Sequence, residues 1–280
     1  MRIAVVGARG QLGAAMVQEC SGHHDVTAFD RASFDITAGA AAADAVIAAR
    51  PDAIVNCAGY NAVDAAESHP VDALQANALA VRSLARAACQ TGAVLVQFSS
   101  DFVFDGTATS PMTEDEAPNP RSVYAVSKLL GEWFARDAPA AYVLRVESLF
   151  GHAPGATPKG SVAAIVSGLR AGATVRVFRD RTVSPTYVVD AARATRALIE
   201  RRAAPGVYHC VNSGSGTWLE VATEAARLLG AEPRFEIVSV KDVNLPAERP
   251  QFCALSNAKL AAAGVSMPDW RDALARYLSS

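Results

Sequence analysis

"RIAVVGARGQLG", residues 2 to 13, decides the fold. Its first five residues form a nearly continuous apolar run, the pattern of a strand covered on both faces in a parallel sheet. Gly7, Gly10 and Gly13 follow at once, and beyond them Leu12, Ala15, Met16 and Cys20 recur at helical spacing. A strand that turns through glycines into a helix suits a phosphate-bearing ligand. Glycine allows the tight turn and the close backbone approach, and the helix N-terminus offers free N–H groups and a positive dipole. The spacing is G-x-x-G-x-x-G, a variant of the usual G-x-G-x-x-G dinucleotide fingerprint in the strand-to-helix context that fingerprint requires.

Working outward, "DVTAF" (25–29), "DAIVNCA" (52–58), "AVLVQFS" (93–99) and "AAYVLRVE" (140–147) read as further strands. Between them "AAADAVIAAR" (41–50), the long segment 71–91 and "RSVYAVSKLLGEWF" (121–134) read as helices. Alternation of this kind demands crossovers, so the expected fold is α/β, a Rossmann-type doubly wound parallel sheet. We expect residues 1–150 to form this NAD(P)-binding domain. Residues 151–280 should add a smaller C-terminal α/β substrate lobe, interleaved so that part of it can return to the first domain. It opens with a Gly/Pro/Ser-rich loop, "HAPGATPKGS", and continues with short strands ("TVRVF", "GVYHCV") and helices to the C-terminus.

The chain has 280 residues, 51% hydrophobic and 19% charged, with a net charge of −2. That balance gives no basic field for nucleic acid and no polybasic patch for anionic lipid. The N-terminus lacks the pattern of a signal peptide, and no apolar segment approaches the roughly 20 residues that span a bilayer. A cytoplasmic location is expected. Five scattered cysteines without C-x-x-C or clustered Cys/His spacing point to reduced thiols, with neither a disulfide framework nor a metal site. Oligomeric state is not legible; a homodimer is the base-rate expectation.

Asp30 closes the second strand, about 20 residues beyond the glycine loop, where a carboxylate can accept hydrogen bonds from an adenosine ribose. It can equally cap the turn in "FDRASFD". Arg31 beside it could pair with the 2′-phosphate of NADP, whereas Asp30 favours the free hydroxyl of NAD, so both cofactors stay open.

Tyr124 and Lys128 lie four apart on a predicted helix and therefore on one face. A phenol that ordinarily titrates near pH 10 is a poor acid or base until a cation acts on it. Taken alone the pair is more often a half-buried aromatic beside a solvated lysine. The loop "QFSSDFVFDG" changes that weight, because it follows a parallel strand and opens at the carboxyl edge of the sheet. Ser99 and Ser100 can meet a substrate carbonyl there, or simply cap a turn.

At this point the residues carry a resemblance. The glycine loop, "NCAGYNAVDAAE" (56–67), "QANALA" (75–80), "SSDFVFDG" (99–106), "VYAVSK" (123–128), "SPTYVVD" (184–190) and "GVYHCVNSG" (206–214) together resemble the extended short-chain dehydrogenase/reductases. Among them the chain is most similar to the dTDP-4-dehydrorhamnose reductase family. The resemblance implies hydride transfer from NADPH or NADH to a nucleotide-linked 4-keto sugar. Tyr124 would be the proton donor, Lys128 its tuner and the anchor of the ribose, and Ser100 the group that orients the carbonyl. It assigns Gly7, Gly10, Gln11, Leu12 and Gly13 to the pyrophosphate loop, and Asp30 and Arg31 to the adenosine ribose. Asp35 and Ile36 fall on the adenine side, and Ala58, Gly59 and Tyr60 under the cofactor. Ser99 is expected with the cofactor, and Asp101, Phe102, Leu149 and Arg249 with the substrate.

The departures concern the substrate. Phe102 stands where the family usually has Tyr, and "RVESLFG" (145–151) brings Glu147 and Leu149 where a Ser and a large aromatic are common. Glu147 could pair with Arg145, meet a sugar hydroxyl, or be a strand-end charge. His152 reads as a loop histidine, His209 as a packed strand residue, Arg249 as a pyrophosphate ligand or a surface arginine, and Trp133 and Trp270 as core. Two rivals stand beside the reductase. One is a sugar-nucleotide epimerase or dehydratase that recycles its cofactor; the other is a non-catalytic cofactor-binding regulatory subunit.

Overall fold

A computed structural model of the chain describes residues 1–152 and 158–280. Half of the Gly/Pro-rich loop expected after Gly151, residues 153–157, lies outside the described residues.

The apolar runs form strands β1 (Arg2–Val6), β2 (Asp25–Phe29), β3 (Ala53–Asn56), β4 (Val94–Ser100) and β5 (Ala140–Val146). Beyond them come β6 (Leu149–Phe150), β7 (Thr174–Phe178), β8 (Thr182–Val183), β9 (Thr186–Tyr187), β10 (Gly206–His209), β11 (Gly216–Thr217) and β12 (Arg234–Val238). The main sheet has the order β10-β5-β4-β3-β1-β2, and every pair in it is parallel. Parallel neighbours need crossovers, and these are helical: α1 (Gln11–Ser21), α2 (Ala40–Ala48), α3 (Val63–Ser68), α4 (Pro70–Leu74), α5 (Ala80–Thr91) and α6 (Val123–Ala135). Then follow α7 (Ser161–Arg170), α8 (Val188–Arg201), α9 (Trp218–Leu229), α10 (Ala258–Ala262) and α11 (Trp270–Leu278).

Strand alternation divides the core between the two faces. Ile3 and Val5 of β1 join the cluster that includes Leu12, Met16, Leu144 and Leu198, so α1 and α8 cover that face. Ala4 and Val6 join Val46, Leu84 and Ala135, so α2, α5 and α6 cover the other. β10 comes from far along the chain yet pairs with β5 at the sheet edge, and the preceding helix α8 packs on α1. Outside the main sheet, β7 and β12 form a parallel pair, with α7 and α9 packed on β7. Trp270 at the start of α11 is fully buried, as expected, whereas Trp133 is 55% exposed. It sits on α6 with Val126, whose exposed face the helical pattern alone did not reveal.

The long helical segment 71–91 is interrupted. Gln75–Leu79 form a π-helical turn between α4 and α5. One extra residue in a turn rotates the side chains that follow it, and such bulges gather at functional sites. Here Asn77 is turned inward and 1% exposed. The helix α6 lies so close to this turn that a Cβ on Gly131 would overlap the Asn77 carbonyl oxygen, a backbone atom that cannot step aside. Gly131→Ala should therefore separate α6 from the π turn and destabilise the fold by about 1–3 kcal/mol, as overpacking does. Denaturant titration checks this, and an unshifted midpoint would show that the contact is loose.

Candidate active site

The glycine loop closes on itself. Gly7 has φ +80°, and its N–H and that of Ala8 donate to Phe29 O at 2.9 and 3.0 Å. A Cβ at Gly7 would lie 2.7 Å from Ala58 N, and one at Gly13 would overlap Gly7 O, so neither position admits a side chain without movement. Gly10 is the N-cap of α1 and supplies no side-chain cap, which leaves the first-turn N–H groups of the helix for a ligand. Leu12 is buried in the core. The Gln11 amide donates to Gly151 O and Lys159 O at 3.0 and 3.2 Å, so its side chain ties the glycine loop to the chain beyond β6.

Beside this loop lies a cleft of about 560 Å³ lined by Gly7, Asp30, Arg31, Asp35, Ile36, Ala58, Gly59 and Tyr60, with Phe29, Phe34, Thr37, Asp72, Gln75 and Ala76. The first eight are residues placed at the cofactor by sequence. Asp30 divides its oxygens. Oδ1 accepts from the Ala32 and Ser33 N–H groups, as a turn cap does, and Oδ2 pairs with Arg9 at 2.7 Å. The hydrogen bonds from Ser33, then Ala32, and the Arg9 charge hold its carboxyl below the usual range. Asp35 caps its own turn through Thr37.

The other half of the site is carried by α6. Tyr124 is 7% exposed, and the Phe102 ring meets it edge-on at 5.5 Å between centroids. Burial pushes its phenol up, the Asp101 carboxyl adds to that, and the Ser100 hydroxyl and Arg249 guanidinium oppose it. A phenol so placed stays protonated at neutral pH. The Phe102 ring also lies under two guanidiniums, Arg181 at 5.4 Å and Arg249 at 5.7 Å. Arg249 pairs with Asp64 through Nη2 at 2.8 Å, while its buried Nη1 has no partner among the described residues. Ser100 Oγ donates to Asp101 Oδ1 at 2.8 Å and accepts from Phe102 N.

One expectation changes here. Ser99 does not face the cleft: its hydroxyl donates to Glu132 Oε1 at 2.6 Å, within a buried ion pair in which Arg145 grips both Glu132 oxygens at 2.8 Å. Lys128 donates to Phe98 O at 2.8 Å, and the Arg249 guanidinium is a cation that acts on the Tyr124 phenol. The ammonium lies 3.8 Å from where a Cβ on Gly59, a residue lining the cleft, would sit. Arg145 is taken by Glu132, so Glu147 is left to accept from Ser184 N at 2.6 Å. Leu149 is partly buried against the core on the α1 and α8 side. The His152 ring lies 4.7 Å from that of Tyr277, tilted by 30°, and His209 is buried against Met112 O.

Asn77 joins the two halves, and its place in the sequence pattern gave it no role. Its Oδ1 accepts from Tyr60 N, and its Nδ2 donates to Tyr60 O and to Ser127 Oγ, at 2.8, 3.0 and 2.9 Å. "QANALA" held the residue in plain view, but only the π turn aims it inward.

A family model described as the RmlD substrate binding domain matches residues 1–280. The chain belongs to this family. A dTDP-4-dehydrorhamnose reductase from Streptomyces griseus is 37% identical over 279 residues, 96% of this chain and 90% of its own. A probable dTDP-4,6-dihydroxy-2-methyloxan-3-one 4-ketoreductase from Streptomyces antibioticus is 35% identical over 98% of this chain and 93% of its own. The crystal structure of dTDP-4-dehydrorhamnose reductase from Bacillus anthracis in complex with NADP matches with a TM-score of 0.93 and 30% identity, over 99% of this chain and 98% of that one.

For this member of the RmlD family, the Lys128 environment sets a pH dependence. Burial pushes its ammonium down to about 8, against the opposing Glu132 charge. The lysine is a cation below that pH and neutral above it. The kcat/KM for cofactor, which reports groups of the free enzyme, should therefore fall as pH rises through about 8. Lys128→Arg keeps the charge and should carry that limb out of range; a limb that stays in place would remove Lys128 from the cofactor site.

Proposed function

We propose that the protein is an NAD(P)H-dependent reductase that delivers hydride to the C4 carbonyl of a 4-keto-6-deoxysugar carried on a nucleoside diphosphate, with dTDP-4-dehydrorhamnose as first candidate. The observation that carries the reading is the placement of the Tyr124 phenol. It is buried beside Ser100, Phe102 and the Arg249 guanidinium, on the helix whose Lys128 lies beside Gly59 of the glycine-loop cleft. Bound in that cleft, a reduced nicotinamide supplies the hydride. Gly7, Gly10 and Gly13 leave room for its pyrophosphate, and the first turn of α1 offers the N–H groups. Lys128 holds a cation at the ribose. Tyr124 gives its proton to the carbonyl oxygen as negative charge develops there, and Ser100 orients that oxygen. The unpartnered Nη1 of Arg249 suits a substrate oxygen or phosphate beside the phenol.

The ribose end favours NADPH. Arg9 neutralises Asp30, whose carboxylate would otherwise repel a 2′-phosphate, and the exposed Arg31 lines the same cleft. The names of the Streptomyces relatives, both reductases of dTDP-linked ketones, support the substrate class. The five free thiols, three of them buried, fit the reducing cytoplasm that we assign to it.

The test is loss of reduced-nicotinamide absorbance with NADPH or NADH and a panel of 4-keto sugar nucleotides. Turnover with one sugar and preference for NADPH are expected. Arg31→Ala should weaken NADPH by about tenfold, the worth of one charge-assisted hydrogen bond, and leave NADH unchanged. Cofactor binding without net oxidation across the panel would favour the epimerase or dehydratase reading.

A further inference from the structure

Next to Ser100 lies a buried group that the proposed chemistry does not use. Asp101 is 3% exposed and Glu147 2%. One carboxyl oxygen of each and the Cys253 sulfur lie within 4.8 Å of one another. Each carboxyl has one satisfied oxygen: Asp101 Oδ1 accepts from Ser100 at 2.8 Å, and Glu147 Oε2 from Ser184 N at 2.6 Å. The other two, Asp101 Oδ2 and Glu147 Oε1, are buried without a partner among the described residues.

The charges facing the pair do not balance two carboxylates. Arg181 is the cation against them; its Nη2 lies 3.6 Å from Cys253 Sγ and its Nε donates to Pro250 O at 3.1 Å. Arg249 lies against the Phe102 ring and is tied to Asp64. Tyr124 and the buried Cys253 thiol are neutral, because burial raises both. Two like charges at this separation cannot both persist in a buried site. A proton on one of the two orphaned oxygens leaves one negative charge for one guanidinium, with the second carboxyl near enough to share it.

We propose that Asp101 and Glu147 hold one proton between them, and that this proton frees the Ser100 hydroxyl for the substrate carbonyl. The reason is that Ser100 has a single hydrogen to give. While Asp101 is ionised, Oδ1 is a carboxylate oxygen and holds that hydrogen in a charge-assisted bond, about twice as strong as a neutral one. With the proton on Oδ2, shared toward Glu147, Oδ1 becomes a carbonyl oxygen and a weaker acceptor. The hydroxyl can then turn to an oxygen that gains charge. No bond of the substrate changes in this step; the proton moves only between the two carboxyls. Glu147 is a positioning residue, acting through Asp101 and Ser100.

The catalytic consequence rests on the reductase reading, but the shared proton does not, and the experiment separates them. Infrared difference spectra of wild type against Glu147→Gln should show the carbonyl stretch of a protonated carboxylic acid, shifted in D2O and lost in the variant. Glu147→Asp should restore it. With the like charge gone, Asp101 ionises at lower pH. The basic limb of kcat should thus move to lower pH in Glu147→Gln, with kcat at neutral pH reduced roughly tenfold or more and cofactor affinity unchanged. A general loss of packing would lower kcat without moving the limb. Absence of the acid stretch in wild type, its persistence in Glu147→Gln, or a stoichiometric divalent metal held by Asp101, Glu147 and Cys253 would overturn the proposal. An acid stretch present in a protein that reduces no keto sugar would uphold the shared proton and remove the reductase reading alone.

Discussion

One carboxamide holds the two halves of the site in register. The loop 57–60 that lines the cleft and the helix α6 that carries Tyr124 and Lys128 come from different crossovers, and both meet at Asn77. Its Oδ1 and Nδ2 take the Tyr60 N–H and C=O, and the same Nδ2 reaches Ser127, whose hydroxyl donates to Tyr124 O at 2.7 Å. A buried amide satisfied this fully is costly to break, since each lost partner leaves a desolvated group unpaired. The π turn that aims Asn77 inward and the missing Cβ atoms at Gly59 and Gly131 are conditions of that contact. Any side chain at Gly59 would press on Asn77 Oδ1, 2.9 Å from the new Cβ.

Below this joint the site rests on buried charge. Glu132 is gripped by Arg145 and takes the Ser99 hydroxyl, and its negative charge supports the ammonium of Lys128 on the same helix face. Truncating one partner of such a pair leaves the other charge stranded, which costs more than the pair contributes. On the substrate side the balance differs: two carboxyls face one guanidinium, and the surplus is met by protonation. The Phe102 ring packs against both guanidiniums and meets the phenol edge-on, so one ring joins the two cations to Tyr124.

The sheet was legible because its signals are local. Apolar runs, glycines at a strand-to-helix turn and helical spacing each follow from the sterics and burial of a few neighbouring residues. The cleft residues were legible for the same reason, since they sit at fixed positions after their strands. Ser99 and Ser100 are a different matter: adjacent strand residues point to opposite sides, and only the position of Glu132 tells which hydroxyl is consumed. Partner choice among Arg145, Glu132 and Glu147 depends on how α6 lies against β5, and a single sequence does not contain that angle. Trp133 and Trp270 show the same limit, for both fit a helical pattern and only one faces the core.

The central claim is that a buried, protonated Tyr124 supplies the proton for carbonyl reduction. It is tested most directly by single-turnover hydride transfer in Tyr124→Phe, with cofactor affinity measured on the same sample. The account predicts unchanged NADPH binding and a rate lowered by about 10²-fold or more, the worth of a positioned general acid. A variant that binds cofactor and transfers hydride at the full rate would contradict it.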